Sequence, residues 1–266
     1  ENEPYGNVFK KVAAALFTEH PYRWTPIGKL AHLRAASVQE LRDFWNDYYV
    51  PNNATLLIVG AVKHEEAREM AKKYMGWIEK RPQPKRVAIE EPLPKEPRTL
   101  VIDDELAPAP LAGIVWRTIP YGHKDEVPLD FLARILGEGN SSLLYRELVA
   151  DRQAAVGTTG WTYNLEQDGV FVLGAMVSPA GDEKTVLDSI HSNLEKIRKD
   201  GITQEQLEKA RNQALKSVAA ENLTVKGKAT VLGSAAVILG DTERANDIIN
   251  RIESVTAEDV RRVAQK

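Results

Sequence analysis

Apolar positions recur along the chain with two periods, and these define most of its elements. Ser37 followed by Glu40 forms a capping-box pattern, in which each side chain satisfies an orphan amide at a helix start. Leu41, Phe44, Trp45 and Tyr48 follow at helical spacing and predict one apolar face. Pro51-Asn52-Asn53 ends that helix, and the run Thr55–Gly60 predicts a buried strand. A second helix carries Ala67, Met70, Ala71, Tyr74, Met75 and Ile78 on one face and is expected to end near Lys80.

Pro82, Pro84, Pro92, Pro94 and Pro97 then exclude both a helix and a central strand, so residues 81–97 read as a stiff linker. Beyond it, Thr99–Ile102 and Leu111–Ile119 predict strands, and Leu129, Leu132, Ala133 and Leu136 predict a helix with one buried face. Gly137-Glu138-Gly139-Asn140 reads as a turn and Ser141–Val149 as a short helix. Val156–Tyr163 and Val170–Val177 read as paired strands joined through residues 164–169. Two long helices follow, one burying Val186, Leu187, Ile190, Leu194 and Ile197, the other opening with a Thr203/Gln206 capping box and running to about Glu221.

Strands and helices are segregated, which predicts an α+β fold with antiparallel or mixed sheets and helices on one face. A weak internal echo supports two copies of one domain, each incompletely present. The run 55–62 into helix 64–80 parallels 170–177 into helix 183–198, and the capped start at Ser37 parallels the one near Thr256. The expected organisation is residues 1–80 as the latter half of a first domain, 81–97 as linker, and 98–266 as a second domain lacking its last strand.

Composition narrows the partners. A formal net charge of −3 over 266 residues gives no basis for nucleic-acid binding. No apolar run reaches the roughly 20 residues that span a bilayer. The chain has no Cys, which excludes thiolate metal sites and disulfides but leaves the compartment open, a periplasmic location being slightly preferred to a cytoplasmic one. It opens at Glu1 without Met and closes at Lys266 inside a predicted helix, so both ends are expected to lie within a longer protein.

No catalytic, cofactor-binding or metal residue is assigned from local chemistry. A zinc hydrolase places two His one helical turn apart. Here His20, His32, His64, His123 and His191 are never closer than 12 residues, and neither HExxH nor HxxEH occurs. His64-Glu65-Glu66 reads as a helix start whose acids face the positive end of the dipole. Gly137-x-Gly139 lacks the third glycine and the preceding strand of a dinucleotide fingerprint. Asp103-Asp104-Glu105 reads as a solvated strand end, and Trp116, Trp161 and Tyr163 as core or interface packing.

The chain as a whole nevertheless resembles the insulinase, pitrilysin and mitochondrial-processing-peptidase family of zinc metallopeptidases, in its short two-domain bacterial form. The residues that carry the likeness are Asn2-Glu3-Pro4-Tyr5-Gly6, His20-Pro21-Tyr22, Ile27-Gly28, and Phe44 with Tyr48-Tyr49-Val50-Pro51-Asn52-Asn53-Ala54-Thr55 and Val59-Gly60. In the second half they are Ile135 through Tyr145 and Val255 through Val260. The resemblance implies a zinc site built from an HxxEH helix and a later Glu, both upstream of Glu1, so zinc would belong to the parent enzyme and not to this chain. It implies that His20 packs structurally. It also implies a substrate-binding Arg with a Tyr seven residues later in the second domain, at the positions of Val149 and Val156, with Arg152 nearby but out of register. Valine supplies neither the charged donor nor the phenol. Some bacterial members of the family divide the two functions between subunits. The chain is therefore expected to be a non-catalytic portion of a zinc endopeptidase, forming chamber wall and substrate-contact surface for peptides. It would work as a homo- or heterodimer with a related subunit that carries the Arg/Tyr pair. An inactive scaffold subunit of the same fold, or an unrelated α+β binding module, are the competing expectations.

Overall fold

The computed structural model describes residues 3–86 and 88–266; Glu1, Asn2 and Val87, and with them the first residue of the Asn2–Gly6 segment, lie outside the described residues. The chain divides into two compact units, Glu1–Leu106 and Ala107–Lys266.

The first unit is helical among its described residues. It contains α1 (Val8–Leu16), α2 (Leu30–Ala35), α3 (Val38–Tyr48) and α4 (His64–Met75), with 3₁₀ turns at Pro21–Arg23 and Pro51–Asn53. The α3 start is the predicted capping box: Ser37 Oγ accepts from Glu40 N at 3.2 Å, and Glu40 Oε2 accepts from Ser37 N at 2.7 Å. Helix α4 stops at Met75 instead of running to Lys80, with Gly76, the poorest helix former after proline, as its C-cap. The two strands expected at Thr55–Gly60 and Thr99–Ile102 join no ladder among the described residues, and without a partner strand an apolar run does not become a sheet strand. The apolar face of α3 is formed as the periodicity requires, yet it meets solvent: Leu41, Phe44, Trp45 and Tyr48 are all exposed. Its aromatics pair with one another instead, Trp45 stacking on Tyr49 at 4.1 Å and Phe44 tilting on Tyr48 at 4.7 Å.

The proline-rich stretch belongs to this unit and is tied down within it. Glu91 is the main anchor. Its carboxylate accepts from the amides of Thr18, Glu19 and His20 and from Thr18 Oγ1, at 2.6–2.8 Å. Asn52 Nδ2 donates to Arg81 O, Arg98 donates to Ala15 O, and Asp104 accepts from Tyr5 N, so the unit closes only after Leu106.

The second unit holds β1 (Leu111–Thr118), α5 (Glu126–Gly137), a π-helix (Tyr145–Asp151), β2 (Ala155–Asn164), β3 (Gly169–Val177), α6 (Glu183–Asp200), α7 (Gln204–Asn222), α8 (Val225–Val237), α9 (Ile248–Ser254) and α10 (Ala257–Gln265). The sheet is antiparallel, in the order β1-β3-β2. Helix α5 lies across β2 and β3, α6 across β1 and β3, and α10 packs on both helices. The covered face of the sheet carries Ala112, Ile114 and Trp116 from β1 and Phe171, Leu173 and Ala175 from β3. Against it pack Leu132, Leu136, Val186, Ile190 and Val260, all at most 2% exposed. The predicted capping box at Thr203/Gln206 forms, and the capped start read near Thr256 is also a capping box, closed by Asp259. The expected echo of a strand leading into a helix is thus complete in the second unit, as β3 into α6, while the run before α4 has no ladder.

Helix α5 and strand β2 meet glycine on glycine. A Cβ added to Gly160 of β2 would lie 2.4 Å from Ala133 O and 2.9 Å from Gly137 Cα of α5, and one on Gly137 would lie 2.5 Å from Thr159 O. These neighbours are backbone and cannot swing aside. Gly160→Ala should therefore lower stability by about 1–3 kcal/mol, whereas Gly157→Ala, whose Cβ meets nothing within 4 Å, should stay within about 0.5 kcal/mol of the parent. Urea unfolding of the two variants checks both.

Glu91 generates a pH prediction. Burial works against its charge, but the hydrogen bonds from Thr18, Glu19 and His20 outweigh that and hold its pKa down at about 2, against 4.5 ordinarily. A carboxyl depressed on folding stabilises above its unfolded pKa and loses that contribution as pH falls towards the folded value. The stability difference between the parent chain and Glu91→Gln should be constant above pH 5 and shrink between about pH 4.5 and pH 2, as read by denaturant titrations at each pH.

Candidate functional site

The segment from the end of α5 to the start of β2 combines unusual backbone with a polar network to α6. After α5 the chain turns through Gly139, at φ +77°, a conformation suited to glycine. The expected helix over Ser141–Val149 is instead the π-helix Tyr145–Asp151, extended by one residue in its turn so that Arg152 N donates to Glu147 O at 3.0 Å. Leu144 and Leu148 are fully buried and fix this turn on the core. Gln153, at φ +53°, then reverses the chain into β2.

Glu147 is the polar anchor of the segment. Its carboxylate accepts from Ser189 Oγ at 2.9 Å and from Asn193 Nδ2 at 2.7 Å, and Arg152 NH2 lies 3.2 Å away. Ser189 and Asn193 are 2% and 4% exposed, one turn apart on α6, and Asn193 also donates to Ser189 O. Each buried polar group has its partner, so the network locks the π-helix onto α6 at little desolvation cost. Sequence reasoning missed it. The available signal was Ser189 and Asn193 at i, i+4 on the face that also buries Val186, Ile190 and Ile197.

Val149 packs against the core, and Val156 is exposed at the first turn of β2, beside a bulge between Ala155 and Gly157. The side chains at these two positions provide no donor or acceptor. Arg152, the nearest cation in sequence, is engaged with Glu147. Of the three aromatic residues predicted to pack, Trp116 does so, its ring 5.4 Å from Phe171. Trp161 and Tyr163 stand exposed on the sheet face opposite the helices, in register with Val172 and Val170, which excludes core packing for them and leaves the interface reading.

The other residues weighed from sequence make local structural contacts. His20 is buried, its Nδ1 accepts from Tyr22 N at 3.1 Å, and its ring packs 4.0 Å from that of Tyr22. His64 opens α4 with Glu65 and Glu66 in the first turn. Asp104 accepts from Tyr5 N and Leu106 N. Gly137 serves the helix–strand contact described above. Among the described residues no three His, Asp or Glu side chains converge on a point that could hold a metal ion.

A cavity of about 420 Å³ opens between β1, α5, α6 and α10, floored by Trp116, Leu132 and Phe171. Asp125 at its rim is buried, which works against its charge, yet hydrogen bonds from Lys266 and Arg262 at 2.8 and 2.7 Å hold its carboxyl below the ordinary range. Each of its oxygens accepts one of these bonds. No described helix is long and apolar enough to cross a membrane.

Comparison with known proteins places this arrangement. The chain is 29% identical over 272 residues to the zinc protease PqqE of Helicobacter pylori, covering 100% of this chain and 60% of that protein. The crystal structure of a protease from Helicobacter pylori superposes with a TM-score of 0.82 at 27% identity, over 98% of this chain and 63% of that one. The crystal structure of an inactive peptidase domain from Bordetella parapertussis matches 58% of this chain and 84% of its own, with a TM-score of 0.53 and 28% identity. The chain thus spans about three fifths of the length of the longer relatives it matches. The family model described as the peptidase M16 inactive domain matches residues 35–214, well over half of the chain, and the chain belongs to that family.

Proposed function

We propose that this chain is the non-catalytic portion of a longer zinc-dependent endopeptidase, contributing chamber wall and substrate-contact surface for peptides or unfolded segments. The observation that carries the reading is the second unit's one-sided sheet. Helices cover one face, while the other presents Trp161 and Tyr163 beside the Val149–Val156 segment, where the family's substrate-binding pair would stand. The match to an inactive peptidase domain and to relatives named zinc proteases supports it. The His, Asp and Glu residues described here do not fit a zinc site, so zinc and the water it would activate belong to residues outside them. With valine at both positions, the missing Arg and Tyr would come from a second, related subunit. A scaffold role in the same fold is the alternative, favoured by those same two valines.

The parent protein should carry one zinc per chain and cleave an unstructured peptide only when mixed with a subunit bearing the Arg/Tyr pair. Installing Val149→Arg with Val156→Tyr should remove the need for that subunit. Zinc analysis and peptide-cleavage assays of each sample, with and without chelator, check this. Absence of zinc and of cleavage in every sample would favour the scaffold, and full activity of the unaltered protein alone would rule out the divided site.

A further inference from the structure

We infer that the basic segment Lys72–Arg86 of the first unit docks on an anionic phospholipid surface, with its cations against the headgroup phosphates and Trp77 at the interface. The inference stands apart from the peptidase reading, since it concerns a different unit and a different ligand.

The charge is strongly local. Lys72, Lys73, Lys80, Arg81, Lys85 and Arg86 stand against a single acid, Glu79, which gives these 15 residues a formal charge of +5 in a chain whose net charge is −3. The rest of the chain therefore carries −8. Screening at physiological salt acts over about 8 Å, so a surface that meets this segment meets the segment's own field and not the net charge of the protein. Of the acids that follow it, Glu91 is turned back onto the amides of Thr18, Glu19 and His20.

Local structure keeps these charges on display. Lys72 and Lys73 lie in the last turn of α4, where cations suit the helix dipole. Beyond Gly76, Pro82 and Pro84 bar a further helix. The chain is fastened there by Asn52, whose Nδ2 donates to Arg81 O and Gln83 Oε1, both at 2.9 Å, and by Arg81 NH1 donating to Asn46 O at 3.1 Å. All six cations are exposed. Lys72, Lys80 and Lys85 form no ion pair among the described residues; the pair on α4 joins Lys63 to Glu66 instead. Trp77 supplies the apolar contact. It is 74% exposed, and its Nε1 donates to Tyr74 O at 2.9 Å, which holds the indole at the end of α4 between the two groups of cations.

These features select the ligand. Trp and Tyr rings favour the headgroup level of a bilayer, and cations around an exposed aromatic suit a protein that lies on an anionic membrane. Four of the six cations are lysines, point charges on flexible stems, which suit a diffuse array of lipid phosphates better than the fixed geometry of one carboxylate. A bilayer also touches the protein from one side only. A long soluble polyanion that ran past the segment would meet the negative remainder of the chain.

The test uses the parent protein and vesicles of phosphatidylcholine, alone or mixed with phosphatidylglycerol, in a co-sedimentation assay. Binding is expected to the mixed vesicles and not to phosphatidylcholine alone, and it should weaken as salt is raised. Lys80→Glu combined with Lys85→Glu should weaken binding by about tenfold or more, as reversal of two surface cations requires, and should leave the unfolding midpoint unaltered. Lys226→Glu combined with Lys228→Glu makes the same change in net charge at exposed positions of α8, and should leave vesicle binding as it is. Absence of binding to mixed vesicles, equal binding to neutral ones, insensitivity to salt, or equal loss in the α8 variant would each overturn the inference. So would a protein that ignores vesicles but is retained on immobilised polyglutamate, since the segment would then serve an acidic polypeptide.

Discussion

The contact between Gly137 and Gly160 governs the second unit. Two backbones meet there without side chains between them, so the end of α5 sits directly on β2 and the helix axis is set against the sheet. Everything else follows from that placement. Leu132, Leu136 and Phe131 fall onto the covered face, the chain must then turn sharply at Gly139, and the π-helix delivers it to the start of β2. Because α5 and α6 share one face, the other is left to Val115, Val172, Trp161 and Tyr163.

A second constraint is polar. Glu147, Ser189 and Asn193 bring three hydrogen-bonding groups against the hydrophobic core. Fully satisfied, such a network specifies one arrangement of the π-helix on α6, and it occupies Arg152, the cation closest in sequence to the Val149–Val156 positions. The network thus ties the segment to α6.

Much of this was legible in the sequence of the second unit. Apolar periodicity located α5, α6 and the β2–β3 hairpin, and the capping box at Thr203 and the capped start near Thr256 formed as read. The π-helix was not legible, since it differs from an α-helix by a single added residue per turn, and the Glu147 network that anchors it depends on α6 some forty residues later. In the first unit the local rules held and the tertiary ones did not. The Ser37 box and the α3 face are present, but Thr55–Gly60 has no ladder, because a strand is a relation between segments and cannot be read from one alone. The site gave a similar lesson. The histidine spacing offered no zinc pair, and in the structure His20 packs against Tyr22, as its place in the resemblance implied. The sequence reading left Trp161 and Tyr163 between core and interface packing, because strand alternation distinguishes two faces without saying which one the helices cover; the structure exposes both.

The central claim is that these 266 residues carry fold and contact surface but no catalytic centre. The most direct measurement is zinc content by metal analysis of the purified chain, together with its turnover of an unstructured peptide in the presence and absence of chelator. The account predicts zinc far below one per chain and no chelator-sensitive cleavage. One zinc per chain with cleavage abolished by chelator would contradict it.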